Sequence, residues 1–454
     1  MAQIHLCKYR RIHIYKYLSS HYRLFLAGAL SSCAYLYLAL ITRHGDQPGF
    51  YEFGLILGVC ALLSFWVSSA YLRRKTLAPI LPVLLFAVLF RLIGIWGEPI
   101  FEDDFYRYLW DGRMLVETGN PYELAPSEFF TDETLGDRFE DILSQINHPY
   151  IATVYGPMNQ WLFGLSYLIA PGELWPIQLM LSIADILVAL MLLRLASVNW
   201  VLLYAWCPLL IKEIAFTAHP DVLGVTFLVG ALITAKKERW LITGALLGLA
   251  VASKIFALIL VPFILRFHWR GWFLFLVSAL VVSAPFGVIS AWLPEGLSAM
   301  ARDWLFNAPI YYLLSFWLSF STTKALLLGV FVVIWGLYLY QFTFGKQRDA
   351  PFLGNVRADI LFGIFFLCAP VLNAWYLVWL IPFGVLYPSM TIWATSLAIG
   401  LAYASGINLP DSGLNLYDQP AWAFITEIGI ICLALIVDIC RWHSHKLNNA
   451  MTEL

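Results

Sequence analysis

The chain has 454 residues, of which 61% are hydrophobic and 13% charged, with a net charge of −1. Soluble domains carry roughly 45–50% apolar and about 25% charged residues, so this composition excludes a soluble multidomain enzyme, a disulfide scaffold and a disordered chain. The near-neutral balance gives nucleic acid no handle. What remains is a polytopic all-α membrane protein.

Apolar runs fall near 24–42, 53–72, 78–97, 155–170, 175–193, 200–217, 221–235, 240–266, 272–290, 324–344, 358–372, 374–388, 390–406 and 421–440. At about 20 residues per crossing they predict about 12–14 transmembrane helices. A basic stretch (Lys8, Arg10, Arg11, Lys16, Arg23) precedes the first run, which reads as a retained helix rather than a cleaved signal. Further basic groups are Arg73-Arg74-Lys75, Lys236 to Arg239, Arg266 to Arg270, Lys346 to Arg348 and Arg441 to Lys446. The positive-inside rule places these in the cytoplasm and leaves 98–154, about 291–322 and the turn 405–420 outside. Run 240–266 carries Lys254 in its middle, so it is either one tilted helix or two half-crossings broken at Ser253-Lys254. The parity of 155–266 stays open on this reading.

Between the third and fourth runs, residues 98–150 hold 13 of the 29 acidic side chains and three basic ones, Arg107, Arg113 and Arg138. Acidic residues hardly affect topology, so their gathering needs another reason. The stretch FEDDFYRYLWDGRMLVETGNPY, 101–122, predicts an amphipathic helix in the interface plane, ended by Gly119-Asn120-Pro121. On it Asp104, Tyr108 and Asp111 share a face, and Asp103 lies one turn from Arg107. A solvated acidic face would suit many such loops. Two adjacent aspartates at the end of a membrane helix are more pointed, since like charges near low dielectric raise one pKa and make a candidate general base.

Downstream, YAWCPLLIKEIAFTAHPD (204–221) sets Glu213, His219 and Asp221 in or beside apolar runs, where titratable groups are expensive and functional suspects. Lys254 sits too far from either end of its run to snorkel, and predicts burial beside an anion. Tyr155 opens a membrane helix at YGP. RDWLFNAPIYYL carries Arg302 and Asn307, and LNAWYLVWLIP carries Trp375 and Tyr376. Each is weak alone, yet all can face one external cavity with Asp103 and Asp104.

Taken in order, EDDFYRYLWDGR, NPY, YGP, AWCPLLIKEIAFTAHPD, GLAVASK and LNAWYLVWLIP resemble the C-type (GT-C) membrane glycosyltransferases, closest to the polyprenol-phosphate-mannose-dependent mannosyltransferases. The resemblance covers roughly 78–390. It divides the chain into a basic segment with two additional helices (1–77), a catalytic module (78–390) and C-terminal helices with a tail (391–454). It implies an aspartate base at Asp103 or Asp104. The family's tyrosine-proline-proline becomes Tyr155-Gly156-Pro157 here, and its tryptophan-asparagine-proline becomes Trp206-Cys207-Pro208.

The implied reaction joins an acceptor hydroxyl to a sugar, most simply mannose, carried on a polyprenyl phosphate, with a lipid or glycan as acceptor. A base is needed for the hydroxyl and cations for the phosphate. Arg107, Arg113, His219, Lys254 and Arg302 are candidates for the phosphate. Tyr108, Asp111, Tyr155, Glu213, Asp221, Asn307, Trp375 and Tyr376 are the other candidates for the site. One in-line displacement inverts the anomeric centre. No cofactor is expected, and a divalent cation is compatible with so many carboxylates without being required. Compact loops suit a bacterial inner membrane with an external site. A transferase of arabinose, glucose or an amino-sugar is the nearest alternative. A secondary transporter using Lys254, Glu213 and Asp185 is a more distant one, and no inverted repeat supports it.

Overall fold

The computed structural model describes residues 19–292, 304–345, 351–409, 413–415 and 417–452. Arg302, the basic group Lys8 to Lys16 and the group Lys346 to Arg348 lie outside these residues. The chain is all-helical, and the described residues add only one isolated bridge, Phe306 to Val371. In chain order the principal helices are α1 (Tyr22–Arg43), α2 (Phe50–Arg73), α3 (Ile80–Trp96), α4 (Phe105–Glu117), α5 (Asp137–Ser144), α6 (Pro157–Ile169), α7 (Trp175–Leu192) and α8 (Val198–Ala205). There follow α9 (Pro208–Phe216), α10 (Asp221–Lys236), α11 (Trp240–Ser253), α12 (Trp269–Ser283), α13 (Phe320–Phe344), α14 (Ala358–Cys368), α15 (Ala374–Leu386), α16 (Met390–Tyr403) and α17 (Ala421–Thr452).

Among the described residues, six helices are long and apolar enough to cross a membrane: α1, α2, α7, α12, α13 and α17. The bent pair α8–α9 makes a seventh. Five more apolar helices, α3, α11, α14, α15 and α16, have only 10–17 residues. The chain is therefore an integral membrane protein whose crossings are of unequal length. Helices α13 and α17 leave most of their apolar surface uncovered, which lipid tolerates because each helix satisfies its own backbone.

Two breaks shape the interior. Pro208 interrupts the 200–217 run, bending α9 by 41° from α8, and the rest of α9 winds as a π-helix over Ile211–Phe216. Such turns recur at functional sites. The 240–266 run divides at its lysine, because Lys254 is extended (φ −157°, ψ 134°) and α11 stops before it. A 3-10 turn, Ile255–Ile259, and a short helix, Val261–Leu265, complete the run. The lysine thus occupies a break in the run, with its N–H still donating to the Ala250 carbonyl oxygen and its own carbonyl accepting from Ala257. Helix α11 lies along α12 in the same direction, since Gly244 packs on Gly271, where a Cβ would come within 1.9 Å of the Gly271 carbonyl oxygen, and Gly248 one turn later packs on Phe275 and Ser278.

The direction of the helices sorts the loops. Helix α2 ends at Arg73-Arg74-Lys75 and α3 runs back from Ile80, so residues 97–104 emerge at the opposite end. Asp221 opens α10 and Lys254 follows α11, while the basic group 236–239 joins these two helices at their other ends. Asp221 and Lys254 therefore both sit at the end of this helix pair remote from the basic connection.

Candidate active site

Residues 97–104 lead from α3 into α4 and carry Glu102, Asp103 and Asp104. Helix α4 begins at Phe105, so Asp103 precedes it and the one-turn pairing with Arg107 does not form. Arg107 instead donates from Nη2 to the Ile151 carbonyl oxygen, and Asp103 Oδ1 accepts from Asn147 Nδ2 at 2.6 Å. The adjacent carboxylates thereby diverge. Asp103 turns to the loop at 147, whereas Asp104 Oδ2 accepts from the Tyr155 hydroxyl at 3.1 Å. Asp104 also lies within electrostatic reach of Lys254, Tyr376 and Tyr403. Burial, aided by the charge of Asp104, pushes the Asp103 carboxyl above its ordinary range. Burial pushes Glu102 well above its own.

Tyr155 is held from below. Its ring meets Tyr108 edge-on at 5.0 Å, and Tyr108 stacks on Phe163 at 4.8 Å. The Tyr122 hydroxyl donates to the Tyr155 carbonyl oxygen at 2.7 Å. Buried Asp111 accepts from the Thr153 hydroxyl and, at 3.0 Å, from Gln160 Nε2, which fastens the segment to α6. Its carboxyl is raised by that burial. Gly156 explains the departure from tyrosine-proline-proline. A Cβ there would stand 2.3 Å from the Ala252 carbonyl oxygen, so only glycine lets this segment reach the end of α11 beside Lys254.

The facing wall is built from α10, α11 and α15. Lys254 Nζ donates to Asp221 Oδ1 at 2.6 Å, and Trp379 Nε1 donates to the same oxygen at 2.7 Å. The ammonium lies over the Tyr376 ring at 4.1 Å and the Phe256 ring at 4.8 Å. The Lys254 side chain is 24% exposed and that of Asp221 3%, so the carboxylate anchors the lysine from the interior and the lysine is only partly covered.

Behind this wall lies a second, fully buried cluster. The π-turn and the positive φ of Ala218 (62°) return the chain, so that His219 Nδ1 lies 2.9 Å from Glu213 Oε2. Glu213 also pairs with Lys212 at 3.2 Å and accepts from the Tyr403 hydroxyl. Lys212 donates to the Tyr403 oxygen at 2.7 Å. The His219 ring stacks on Trp375 with centroids 4.1 Å apart, and its Nε2 is buried with no hydrogen-bond partner among the described residues.

Of the residues singled out in the sequence, Asp104, Tyr155, Lys254, Asp221 and Tyr376 meet at one place, with Tyr108 and Asp111 supporting them. Glu213, His219 and Trp375 adjoin it. Two others stand apart. Arg113 donates from Nε to Glu117 at 2.7 Å and lies over Phe139, and Asn307 donates from Nδ2 to Glu427 Oε1 at 2.9 Å. Sequence reading passes over Trp379 and Tyr403. Tyr403 is 190 residues from Glu213 in the chain, and no local pattern marks it. Glu102 is also passed over, although it belongs to the same acidic triplet.

Residues 25–270, just over half of the chain, match the model of the MptA_B family, described as alpha-(1->6)-mannopyranosyltransferase, N-terminal domain. No curated protein and no solved structure matches the chain.

Proposed function

The chain belongs to the MptA_B family of alpha-(1->6)-mannopyranosyltransferases, and from that premise we propose that it moves mannose from a polyprenyl phosphate to a hydroxyl of a lipid or glycan acceptor. It is a membrane mannosyltransferase by family. The donor, the acceptor, the face and the base are our reading of the site.

One observation carries that reading: Asp104, a carboxylate with one oxygen unpartnered among the described residues, shares its surroundings with the partly exposed Lys254. The acceptor oxygen attacks the anomeric carbon. The bond from that carbon to the phosphate oxygen breaks, and its electron pair leaves on the polyprenyl phosphate. The acceptor proton passes to the Asp104 carboxylate, and a single displacement of this kind inverts the centre. An ammonium has three donors, and Asp221 takes one of them, so two remain for phosphate oxygens. The polyprenyl phosphate leaves as a phosphate monoester, an anion that needs no acid. Each aspartate accepts one side-chain bond, and Asp104 is the better base of the pair because it, and not Asp103, shares its surroundings with Lys254.

The site belongs to the external face on the same reading. Residues 97–104 and Lys254 lie at helix ends opposite the basic groups 73–75 and 236–239, which the positive-inside rule holds in the cytoplasm. In a chain with its native cysteines replaced, Glu128→Cys should react with an impermeant thiol reagent applied outside cells, and Lys237→Cys should not. Labelling of position 128 only from the cytoplasmic side would reverse the orientation.

The reaction is tested by giving purified protein polyprenyl-phosphate mannose, the matching arabinose and glucose donors, or a nucleotide-activated mannose, and identifying any glycosylated lipid by mass. A mannosylated product that needs the polyprenyl donor is expected. Transfer from the nucleotide sugar alone would overturn the donor assignment.

A further inference from the structure

The segment that delivers the carboxylates is fixed by a side chain from outside the site. Gln47 lies in the connection between α1 and α2. Its Nε2 donates to the Pro99 carbonyl oxygen at 3.1 Å, and its Oε1 accepts from the Phe101 backbone N–H at 3.0 Å. One amide thus engages the acceptor of one residue and the donor of the next but one, as a paired strand would. Just before it, the Glu98 N–H donates to Thr42 Oγ1 at 3.0 Å. Phe101 itself has a φ of 60°, uncommon for an aromatic residue, and needs surrounding contacts to hold it there. Its ring sits edge-on to Phe53 of α2 at 4.9 Å and against Tyr403 of α16 at 5.9 Å. Glu102, Asp103 and Asp104 follow at once. Whatever fixes 99–101 therefore fixes where the Asp104 carboxylate points.

We propose that Gln47 is a positioning residue, clamping residues 99–101 so that Asp104 faces the acceptor hydroxyl; this rests on the base assignment made above. The phosphate side of the site is built on α10, α11 and α15, none of which Gln47 touches through these two bonds. Loss of the clamp should therefore be felt in turnover and not in donor capture. Misplacing a reacting group by about an ångström costs on the order of 100-fold in rate.

The test uses the purified full chain with Gln47→Leu, which removes both bonds, and Gln47→Asn, which keeps the amide but shortens its reach. Arg43→Ala serves as control, because Arg43, exposed like Gln47, pairs with Glu98 and does not hold residues 99–101. Turnover is expressed per molecule competent to bind donor, so loss of folded protein does not count as loss of rate. We expect kcat to fall about 10- to 100-fold in Gln47→Leu and less in Gln47→Asn, with donor KM within about threefold of wild type. Arg43→Ala should stay within about twofold, as exposed ion pairs contribute little. Wild-type kcat in Gln47→Leu, a loss confined to donor KM, or an equal loss in Arg43→Ala would overturn the inference. Asp104→Asn is run beside them. If it is inactive while Gln47→Leu is normal, the clamp is wrong and the base stands; if it turns over normally, the base reading itself fails and the clamp falls with it.

Discussion

Arg91 and Lys254 are both cations in apolar surroundings, each paired with an aspartate, and their neighbourhoods differ in how many bonds are left over. Arg91 on α3 donates to Asp185 Oδ2 through Nε at 2.9 Å and Nη2 at 2.5 Å, and through Nη1 to the carbonyl oxygens of Ala87 and Ala205. Tyr204 donates to the other Asp185 oxygen at 2.5 Å. The two charged side chains are 2% and 0% exposed. Among the described residues the side chain of Lys254, partly exposed, has one bond, to Asp221, and that of Asp104 opposite it has one bond, from Tyr155. Burial alone does not separate a scaffold from a site. Saturation does: the first cluster has spent its hydrogen-bonding capacity on the fold, whereas the second holds some back for a ligand. The saturated pair also answers the transporter reading, for Asp185 is neutralised in place.

The comparison breaks most visibly at Arg91. Arg91→Leu leaves the Asp185 carboxylate buried without its cation, which costs about 3–5 kcal/mol. Thermal unfolding and yield should fall sharply, while turnover per folded molecule stays near wild type. The double change Arg91→Leu with Asp185→Leu should recover most of the stability; failure to recover would show that the cluster does more than brace α3 against α7.

A smaller effect, in a different observable, is expected at the open cluster. Lys254→Gln should weaken donor binding about 10- to 100-fold, the equivalent of about 1.5–3 kcal/mol for a charge-assisted contact, and should also lower the unfolding temperature, because Asp221 is left buried without its cation. Unchanged donor affinity would return Lys254 to the class of Arg91. Gly156→Ala probes the join between Tyr155 and Lys254. Its new methyl must displace the Ala252 carbonyl, so stability should fall by about 1–3 kcal/mol and kcat with it.

The smallest effect is a pH dependence. Burial raises the Glu102 carboxyl in the folded chain, so the folded state binds its proton more tightly than the unfolded state does. That proton is lost as pH climbs from the ordinary carboxylate range through the raised folded value, and stability falls across that window. Glu102→Gln should remove this decline and unfold about 1–2 °C above wild type at pH 8, with no advantage at pH 4. Parallel curves for the two proteins would show that Glu102 titrates normally.

Much of this was legible in the sequence because lipid makes polarity conspicuous. The apolar runs locate the helices to within a few residues, and Asp104, Asp221 and Lys254 stand out as charges that must be paid for. Three things were not legible. The start of α4 at Phe105 decides that Asp103 and Arg107 are not a helical pair, and a one-residue shift of a helix start is beyond any periodicity. The break at Lys254 was one of two options that the apolar run left open, and only the extended backbone of Lys254 in the folded chain separates them. Tyr403 and Gln47 act on the site from helices or turns far away in sequence, and a hydroxyl or amide in such places has no signature until the chain is folded.

The central claim is that Asp104, and not its neighbour, takes the acceptor proton. Its most direct test is single-turnover transfer of mannose from prebound polyprenyl-phosphate donor in Asp104→Asn and Asp103→Asn, with donor affinity and unfolding measured on the same samples. Asparagine keeps the size of the side chain and cannot take the proton. Asp104→Asn should lose about 10²- to 10⁴-fold in transfer rate while binding donor and unfolding as wild type does, and Asp103→Asn should keep most of its rate. Wild-type transfer by Asp104→Asn, or a loss that falls on Asp103→Asn instead, would contradict the account.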